Sequence, residues 1–213
     1  MLALVIRILV AYLLGSLIGS LIVGKFYGGV DIRKSGSGNA GSTNALRTQG
    51  KVFALWVIII DVGKGMLAAG VVPYLPLSHA FILNSGWTAV VCGAAAIVGH
   101  VFPVFFRFHG GKGAATFLGV LLLLAWPALI LALAVWALAL MLSGYVSLST
   151  LLAACSVPVY ALLAPGDGFA SPLFWFGLAM ALFILFTHRS NIRRLVTGTE
   201  NRFKRAMLLH RQR

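Results

Sequence analysis

Acidic residues are scarce in this sequence. Asp and Glu number 4 against 17 Lys and Arg, the formal net charge is +13, and charged residues of all kinds make up only 10% of the 213 residues. Soluble domains carry roughly 25% charged residues, so the composition excludes an ordinary soluble domain, a disordered chain and a coiled coil. Hydrophobic residues make up 60% of the chain, and their solid runs indicate an all-α polytopic membrane protein rather than an outer-membrane barrel.

Cysteine and clustered carboxylates are also lacking. Cys92 and Cys155 lie inside apolar runs, which predicts packing roles and no disulfide framework. The sequence has no paired carboxylates, no metal-ligand spacing and no His–Cys pattern, so we expect neither a metal nor a cofactor. Because the basic residues alternate with apolar runs, they indicate orientation in a membrane rather than a nucleic-acid partner.

The basic residues concentrate in three stretches, 25–51, 107–112 and the tail from Arg189. The positive-inside rule places all three in the cytoplasm. The chain must therefore cross the membrane an even number of times between one basic stretch and the next. Positions 8–24 are the first predicted span. Positions 52–72 and 86–106 are the second and third, joined by an external link that contains His79.

The run 113–166 has no charged residue. As one helix it would be about 80 Å long, against a hydrocarbon core of about 30 Å. The last span, 170–188, must end in the cytoplasm beside the basic tail, so it begins outside. The run 113–166 begins inside and must therefore cross an odd number of times. We predict three short spans with breaks near Trp126 and at 143–145. The prediction is therefore a single domain over 1–213 with seven transmembrane helices, the N-terminus outside and the C-terminus cytoplasmic. We do not expect the first segment to be cleaved as a signal peptide, since more spans follow.

Three polar segments, 35–47, 99–116 and 188–200, interrupt the apolar pattern, and all fall at the predicted cytoplasmic face. Glycines let backbone amides approach an anion, Ser, Thr and Asn add neutral donors, and Arg and Lys add charge. Neither of the first two segments is a Walker A loop. Their convergence on one face favours a phosphate-handling site over flexible loops whose basic residues only set topology.

Such a site has many phosphate binders and few general bases. It suits a reaction whose substrate is already activated and whose leaving group is phosphate, so that positioning and electrostatic stabilisation supply most of the rate. Asp61 and Lys64 share a helix face inside the second predicted span, where charge is costly. They either form a structural pair or line the inner end of the site. A membrane transporter of an organic phosphate and a non-catalytic binder of lipid head groups remain alternatives.

The three segments resemble the motifs of the bacterial PlsY family, the acyl-phosphate-dependent glycerol-3-phosphate acyltransferases. The matching strings are 36–44 with Arg47, 99–103 with 110–113, and positions 188–200, and Asp61 with Lys64 also fits the family pattern. Ala40 stands where the family usually has Pro, which loosens the first loop. The H-x(4)-D pair of the other glycerol phosphate acyltransferases does not occur in the sequence.

The resemblance implies a multi-pass enzyme of the bacterial inner (cytoplasmic) membrane with its active site at the cytoplasmic face. It would transfer a fatty acyl group from acyl phosphate to the 1-hydroxyl of sn-glycerol 3-phosphate, giving lysophosphatidic acid and inorganic phosphate, the first step of phospholipid synthesis. The substrate's own phosphate would help to deprotonate its hydroxyl. A soluble acyl-phosphate-making enzyme of the PlsX type would supply the donor, and membrane lipid would surround the protein.

Individual site residues also follow from the resemblance. Those expected to bind phosphate and stabilise the reacting group are Ser37, Arg47, Lys112 and Asn191. Those expected to bind substrate or order the site are Gly38, Asn39, Thr43, Asn44, His100, Gly111, Gly113, His188, Arg194 and Glu200.

Overall fold

The computed structural model describes residues 1–77, 85–165 and 168–208, and the regular secondary structure in those ranges is entirely helical. The chain divides into two compact units, Met1–Leu124 and Ala125–Arg213. The prediction of a single domain over 1–213 stays a prediction. The predicted external residue His79 lies outside the described residues.

The Met1–Leu124 unit is built around one long helix. Its helices are α1 (Leu2–Gly15), α2 (Gly19–Phe26), α3 (Ser42–Gln49), α4 (Lys51–Gly70), α5 (Ser85–Val101) and α6 (Ala114–Leu124). Helix α4 packs against all five of the others, and α1 packs along α5. A side chain at Gly65 would collide with the backbone of Thr116, and one at Gly119 with the backbone of Val62. The small residues therefore bring α4 and α6 into backbone contact, as is common between membrane helices.

Helices α1 and α2 form a bent pair. They meet at 46° across residues 16–18, so a carbonyl in the break lacks its helical partner. The Lys64 ammonium supplies one, since its Nζ donates to the Leu17 carbonyl oxygen at 2.8 Å. The bend thereby connects to a charged side chain in the middle of α4.

The Ala125–Arg213 unit contains α7 (Trp126–Ser143), α8 (Val146–Leu163), α9 (Pro172–Thr187) and α10 (Arg189–Val196). Helix α8 packs against both α7 and α9. Pro127 and Pro172 stand in the first turns of α7 and α9, where a missing N–H leaves no helical bond unmade. Helix α10 turns away from α9 by 63° at His188 and contacts α8 and α9.

The membrane character predicted from composition is confirmed. Among the described residues, 4 helices are long and apolar enough to cross a membrane, or up to 6 crossings exist if each bent pair counts as one span. The predicted breaks near Trp126 and at 143–145 coincide with the two ends of α7. Helix α6 has only 11 residues. The count of seven spans and the placement of the termini stay predictions.

Candidate functional site

Asn44 holds the first polar loop, residues 32–41, from the inside. Its side chain is buried at the start of α3, and its Oδ1 accepts the Ser37 N–H at 2.9 Å. Its Nδ2 donates to the carbonyl oxygens of Ile32, Ser35 and Asn39 at 2.9, 3.1 and 3.0 Å. These bonds fix the loop's shape, so Asn44 supports the loop in this structure, and its predicted contact with substrate stays a prediction.

Of the other predicted residues of this segment, Asn39 is half-buried and the rest face outward. Ser37 and Gly38 are exposed on the loop, and Gly38 has a φ of +72°. Thr43 and Arg47 are exposed on α3, and their spacing of four residues puts them on one helix face. The loop and α3 therefore expose hydroxyl groups and a guanidinium, whereas the N–H groups of Ser37 and Gly38 are bonded within the segment.

The second polar loop, residues 107–113, folds back on the end of α5. The Gly111 N–H donates to the His100 carbonyl oxygen at 3.1 Å, and the Gly110 N–H to that of Val101 at 3.2 Å. Gly111 also lies against the imidazole Nε2 of His100, so closely that a Cβ at this position would overlap it. Lys112 is half-buried beside it, immediately before α6. Gly111 is thus a glycine because the His100 ring occupies the place of a side chain.

Arg33 ties the first loop to the second. Its Nε and Nη2 bind the two carboxylate oxygens of Asp31 at 3.0 and 2.8 Å, and its Nη1 donates to the His109 carbonyl oxygen at 2.9 Å. The hydrogen bonds from Arg33 hold the pKa of Asp31 below its usual value, and Asp31 raises the pKa of Arg33. This bidentate pair fixes the plane of the guanidinium.

A buried charged cluster lies between the helices of the same unit. Lys64 Nζ is 2.9 Å from Asp61 Oδ1 and 2.8 Å from His100 Nδ1, and Asp61 Oδ1 also accepts the Gly19 N–H at 3.1 Å. Asp61, Lys64 and His100 are 0%, 4% and 2% exposed. Asp61 and Lys64 therefore form an ion pair buried between the helices. Asp61 Oδ2 has no hydrogen-bond partner among the described residues.

Glu200 organises the third polar segment. Its Oε1 accepts from Asn191 Nδ2 at 2.7 Å and from Ser147 Oγ at 3.1 Å, and its Oε2 accepts from Arg194 Nε at 2.7 Å. Partial burial raises the pKa of Glu200, but the bonds from Asn191, Arg194 and Ser147 outweigh it and hold the pKa below its usual value. Glu200 therefore orients the amide of Asn191 in this structure.

His188 stands at the bend between α9 and α10. Its side chain is buried, and its Nδ1 lies 2.9 Å from the Ile184 carbonyl oxygen. A carbonyl only accepts, so Nδ1 carries a proton. The bond closes the last turn of α9 and sets the direction in which α10 leaves.

Sequence reasoning missed three supporting residues. Ser147 holds Glu200 from within an apolar helix, where no pattern marks it out. Asp31 and Arg33 lie at the start of the first loop, and their acid–base spacing was a usable signal. The structure brings Ser37, Arg47 and Lys112 into the Met1–Leu124 unit and Asn191 into the other unit. No group of three His, Cys, Asp or Glu side chains that could hold a metal occurs in the described parts of the chain.

Known proteins share both the sequence and the fold. The glycerol-3-phosphate acyltransferase family model matches residues 5–198. A glycerol-3-phosphate acyltransferase of Endomicrobium trichonymphae is 42% identical over 206 residues, covering 96% of this chain and 98% of the relative. One from Chlorobaculum tepidum is 39% identical over 218 residues, covering 92% and 94%. The crystal structure of PlsY, an integral membrane glycerol 3-phosphate acyltransferase, in its glycerol 3-phosphate form is 33% identical with a TM-score of 0.81, covering 94% of this chain and 95% of that chain.

Proposed function

Because this chain belongs to the PlsY-type glycerol-3-phosphate acyltransferase family, we propose that its acyl donor is acyl phosphate and its acceptor the 1-hydroxyl of sn-glycerol 3-phosphate. The products are then lysophosphatidic acid and inorganic phosphate. The observation that carries this is the match of nearly the whole chain, polar loops included, to glycerol-3-phosphate acyltransferases. Acyl transfer to glycerol 3-phosphate in phospholipid synthesis is the family's function. A transporter of organic phosphate finds no support among these relatives.

The reaction would be an attack of the glycerol hydroxyl oxygen on the acyl carbonyl carbon. The bond from that carbon to the bridging oxygen breaks, and the bridging oxygen leaves with the phosphate. Negative charge grows on the leaving group, so donors and cations placed around it lower the barrier. We assign Arg47 and Lys112 the charge, and Ser37 and Asn191 the neutral hydrogen bonds.

The hydroxyl proton needs an acceptor, and the carboxylates of this chain are poor candidates. Asp31 is engaged by Arg33, Asp61 by Lys64, and Glu200 by its three donors. The fourth acidic residue, Asp167, lies outside the described residues. This supports a mechanism in which a phosphate oxygen of glycerol 3-phosphate itself takes the proton.

The remaining substrate contacts are assigned by the same resemblance. Thr43 and Gly113 would present a hydroxyl and a backbone donor, Gly38 would let the loop approach substrate closely because it has no side chain, and Arg194 would add charge. Asn39, Asn44, His188 and Glu200 would order the loops that carry these groups, which agrees with their hydrogen bonds to backbone or to neighbouring side chains.

For topology, we propose seven crossings with α6 as the shortest, the N-terminus outside and the C-terminus in the cytoplasm of a bacterium. Helix α6 alone rises about 16 Å, so its crossing needs a locally thinned bilayer or help from flanking residues. The basic residues around the three polar loops support a cytoplasmic active site at the inner membrane. A soluble enzyme of the PlsX type would deliver the acyl phosphate there.

Purified protein reconstituted in lipid vesicles tests the proposal. Radiolabelled glycerol 3-phosphate is offered with acyl phosphate, acyl-CoA or acylated carrier protein, and lysophosphatidate and phosphate are measured together. We expect both products in a one-to-one ratio with acyl phosphate alone. Equal turnover with acyl-CoA would overturn the donor assignment, and uptake of label into the vesicles without acylation would support the transporter.

A further inference from the structure

We propose that Asp61, Lys64 and His100 form a positioning unit that sets the place of Lys112 by acting through Gly111. The inference deepens the proposed function and rests on the role it gives to Lys112. His100 thereby changes from an expected substrate contact to a positioning residue, because its side chain is only 2% exposed and its Nδ1 is taken by Lys64.

The first step is the fixation of the His100 ring. The Lys64 ammonium has three N–H groups and no acceptor, and three acceptors surround it: Leu17 O at 2.8 Å, Asp61 Oδ1 at 2.9 Å and His100 Nδ1 at 2.8 Å. Nδ1 must therefore be the accepting nitrogen, and we assign the ring proton to Nε2. Since the three acceptors lie on the α1–α2 break, α4 and α5, the ring cannot turn without loss of a charged hydrogen bond.

The second step leads from the ring to the loop. His100 contacts Gly111 in two ways. The Gly111 N–H donates to the His100 carbonyl oxygen, and the Nε2 edge of the His100 imidazole fills the place of a Gly111 side chain. Lys112 is the next residue, so any shift of Gly111 moves the backbone from which the Lys112 side chain starts. Displacements of about 1 Å at a reacting centre can cost about 100-fold in rate.

The alternative is a cluster that stabilises the fold and has no influence on the loop. The two roles differ in a measurable way. A structural cluster changes the amount and the thermal stability of folded protein but leaves kcat and KM of the folded fraction unchanged. A positioning unit changes kcat or KM in protein that is still folded, and it makes substitutions at positions 100 and 111 interdependent.

The test is a double-substitution cycle between His100 and Gly111. In Gly111→Ala, the new methyl meets the imidazole, so we expect kcat/KM to fall by about 100-fold. In His100→Asn, the amide oxygen can still accept from Lys64 but the side chain ends short of the methyl, and we expect a loss of about 10-fold. The combined variant should then be at least about 10-fold more active than Gly111→Ala alone.

Gly63→Ala is the matched control. A Cβ at Gly63 meets no atom within 4 Å, so this glycine-to-alanine change should leave kcat and KM as they are. Thermal unfolding and size-exclusion profiles of all variants report the folded fraction. An equal loss from Gly111→Ala in the wild-type and His100→Asn backgrounds would overturn the inference.

A second variant tests the other end of the unit. Asp61→Asn combined with Lys64→Met removes both charges and the donor to His100, while no buried charge is left unpaired. We expect folded protein with kcat/KM lowered by about 10-fold, and full activity in folded protein would overturn the proposal. All ratios are read with whichever acyl donor the wild type uses, so a different donor would overturn the proposed function alone.

Discussion

Each unit contains a hydrogen-bonded cluster, here called a support, that holds a residue of a polar segment. The two supports have opposite charges at their centres. In the Met1–Leu124 unit, a cation at the centre, Lys64, is surrounded by acceptors and fixes the neutral ring of His100. In the Ala125–Arg213 unit, an anion at the centre, Glu200, is surrounded by donors and fixes the neutral amide of Asn191. In each support, the central charged group orients one neutral side chain.

The supports differ in their access to water. The Lys64 cluster is buried among membrane helices, whereas the Arg194 partner of Glu200 has a side chain that is 35% exposed. Breaking a buried ion pair leaves a charge without solvent, while a group at the water boundary can be rehydrated. The comparison therefore predicts a stability defect in the first region and a rate defect in the second.

The largest expected effect comes from Lys64→Met alone. It leaves the Asp61 carboxylate buried without its cation, which costs about 3–5 kcal/mol of unfolding free energy. The yield and Tm of detergent-solubilised protein measure it, and adding Asp61→Asn should restore much of the loss. A Tm of Lys64→Met equal to that of the wild type would show that the ion pair does not stabilise the fold.

Lys112→Ala has the next largest expected effect, and it distinguishes a loss of catalysis from a loss of stability. Its removal takes a positive charge from the proposed phosphate contacts, so we expect kcat to fall by about 100- to 1,000-fold with Tm unchanged. Lys51→Ala is the control, because Lys51 is exposed at the start of α4 outside the polar loops. Wild-type turnover in Lys112→Ala would remove this residue from the site.

Glu200→Gln should have a smaller effect of the same kind. The neutral amide loses the ion pair with Arg194 but keeps an oxygen that can accept from Asn191, so we expect about a 10-fold fall in kcat and little change in Tm. Steady-state kinetics in vesicles give the ratio. A larger drop in Tm than that of Lys64→Met would reverse the comparison between the two regions.

The smallest expected effect is a pH dependence of stability that arises from Glu200. The pKa of Glu200 is lowered in the folded state, so its stabilisation is complete above the unfolded value of about 4.3 and is lost as pH falls through the folded value. The Tm difference between wild type and Glu200→Gln should therefore be constant at neutral pH and shrink below about pH 4. A difference that persists unchanged down to about pH 3 would contradict this origin.

Much of the fold could be predicted from the sequence because apolar runs and breakers act locally. Apolar runs located the long helices, and Trp126 and Gly144 marked the ends of α7. The bend between α1 and α2 could not be predicted, since its stability depends on Lys64, 47 residues away from Leu17. Helix α6 has only 11 residues and packs against α4, and its length could not be read from the long apolar run in which it lies.

The polar segments could be recognised from the sequence, but the sequence does not distinguish the roles of their residues. A polar residue in a glycine-containing loop gives the same sequence pattern whether its side chain binds a ligand or the backbone of the loop. Asn44 could therefore be expected to contact substrate. The link from His100 to Lys64 spans 36 residues and that from Ser147 to Glu200 spans 53. Such contacts follow from tertiary packing, and no local pattern indicates them.

We propose that Lys112 and Asn191, although they belong to different units, contribute to one acyl transfer to glycerol 3-phosphate. Residues that act on the same transition state give strongly non-additive losses when combined. The most direct test measures kcat/KM for Lys112→Ala, Asn191→Ala and the double variant with acyl phosphate as donor. We predict a double variant within about 3-fold of the slower single variant. A double variant whose loss is the product of the two single losses, or wild-type turnover in Asn191→Ala, would contradict the claim.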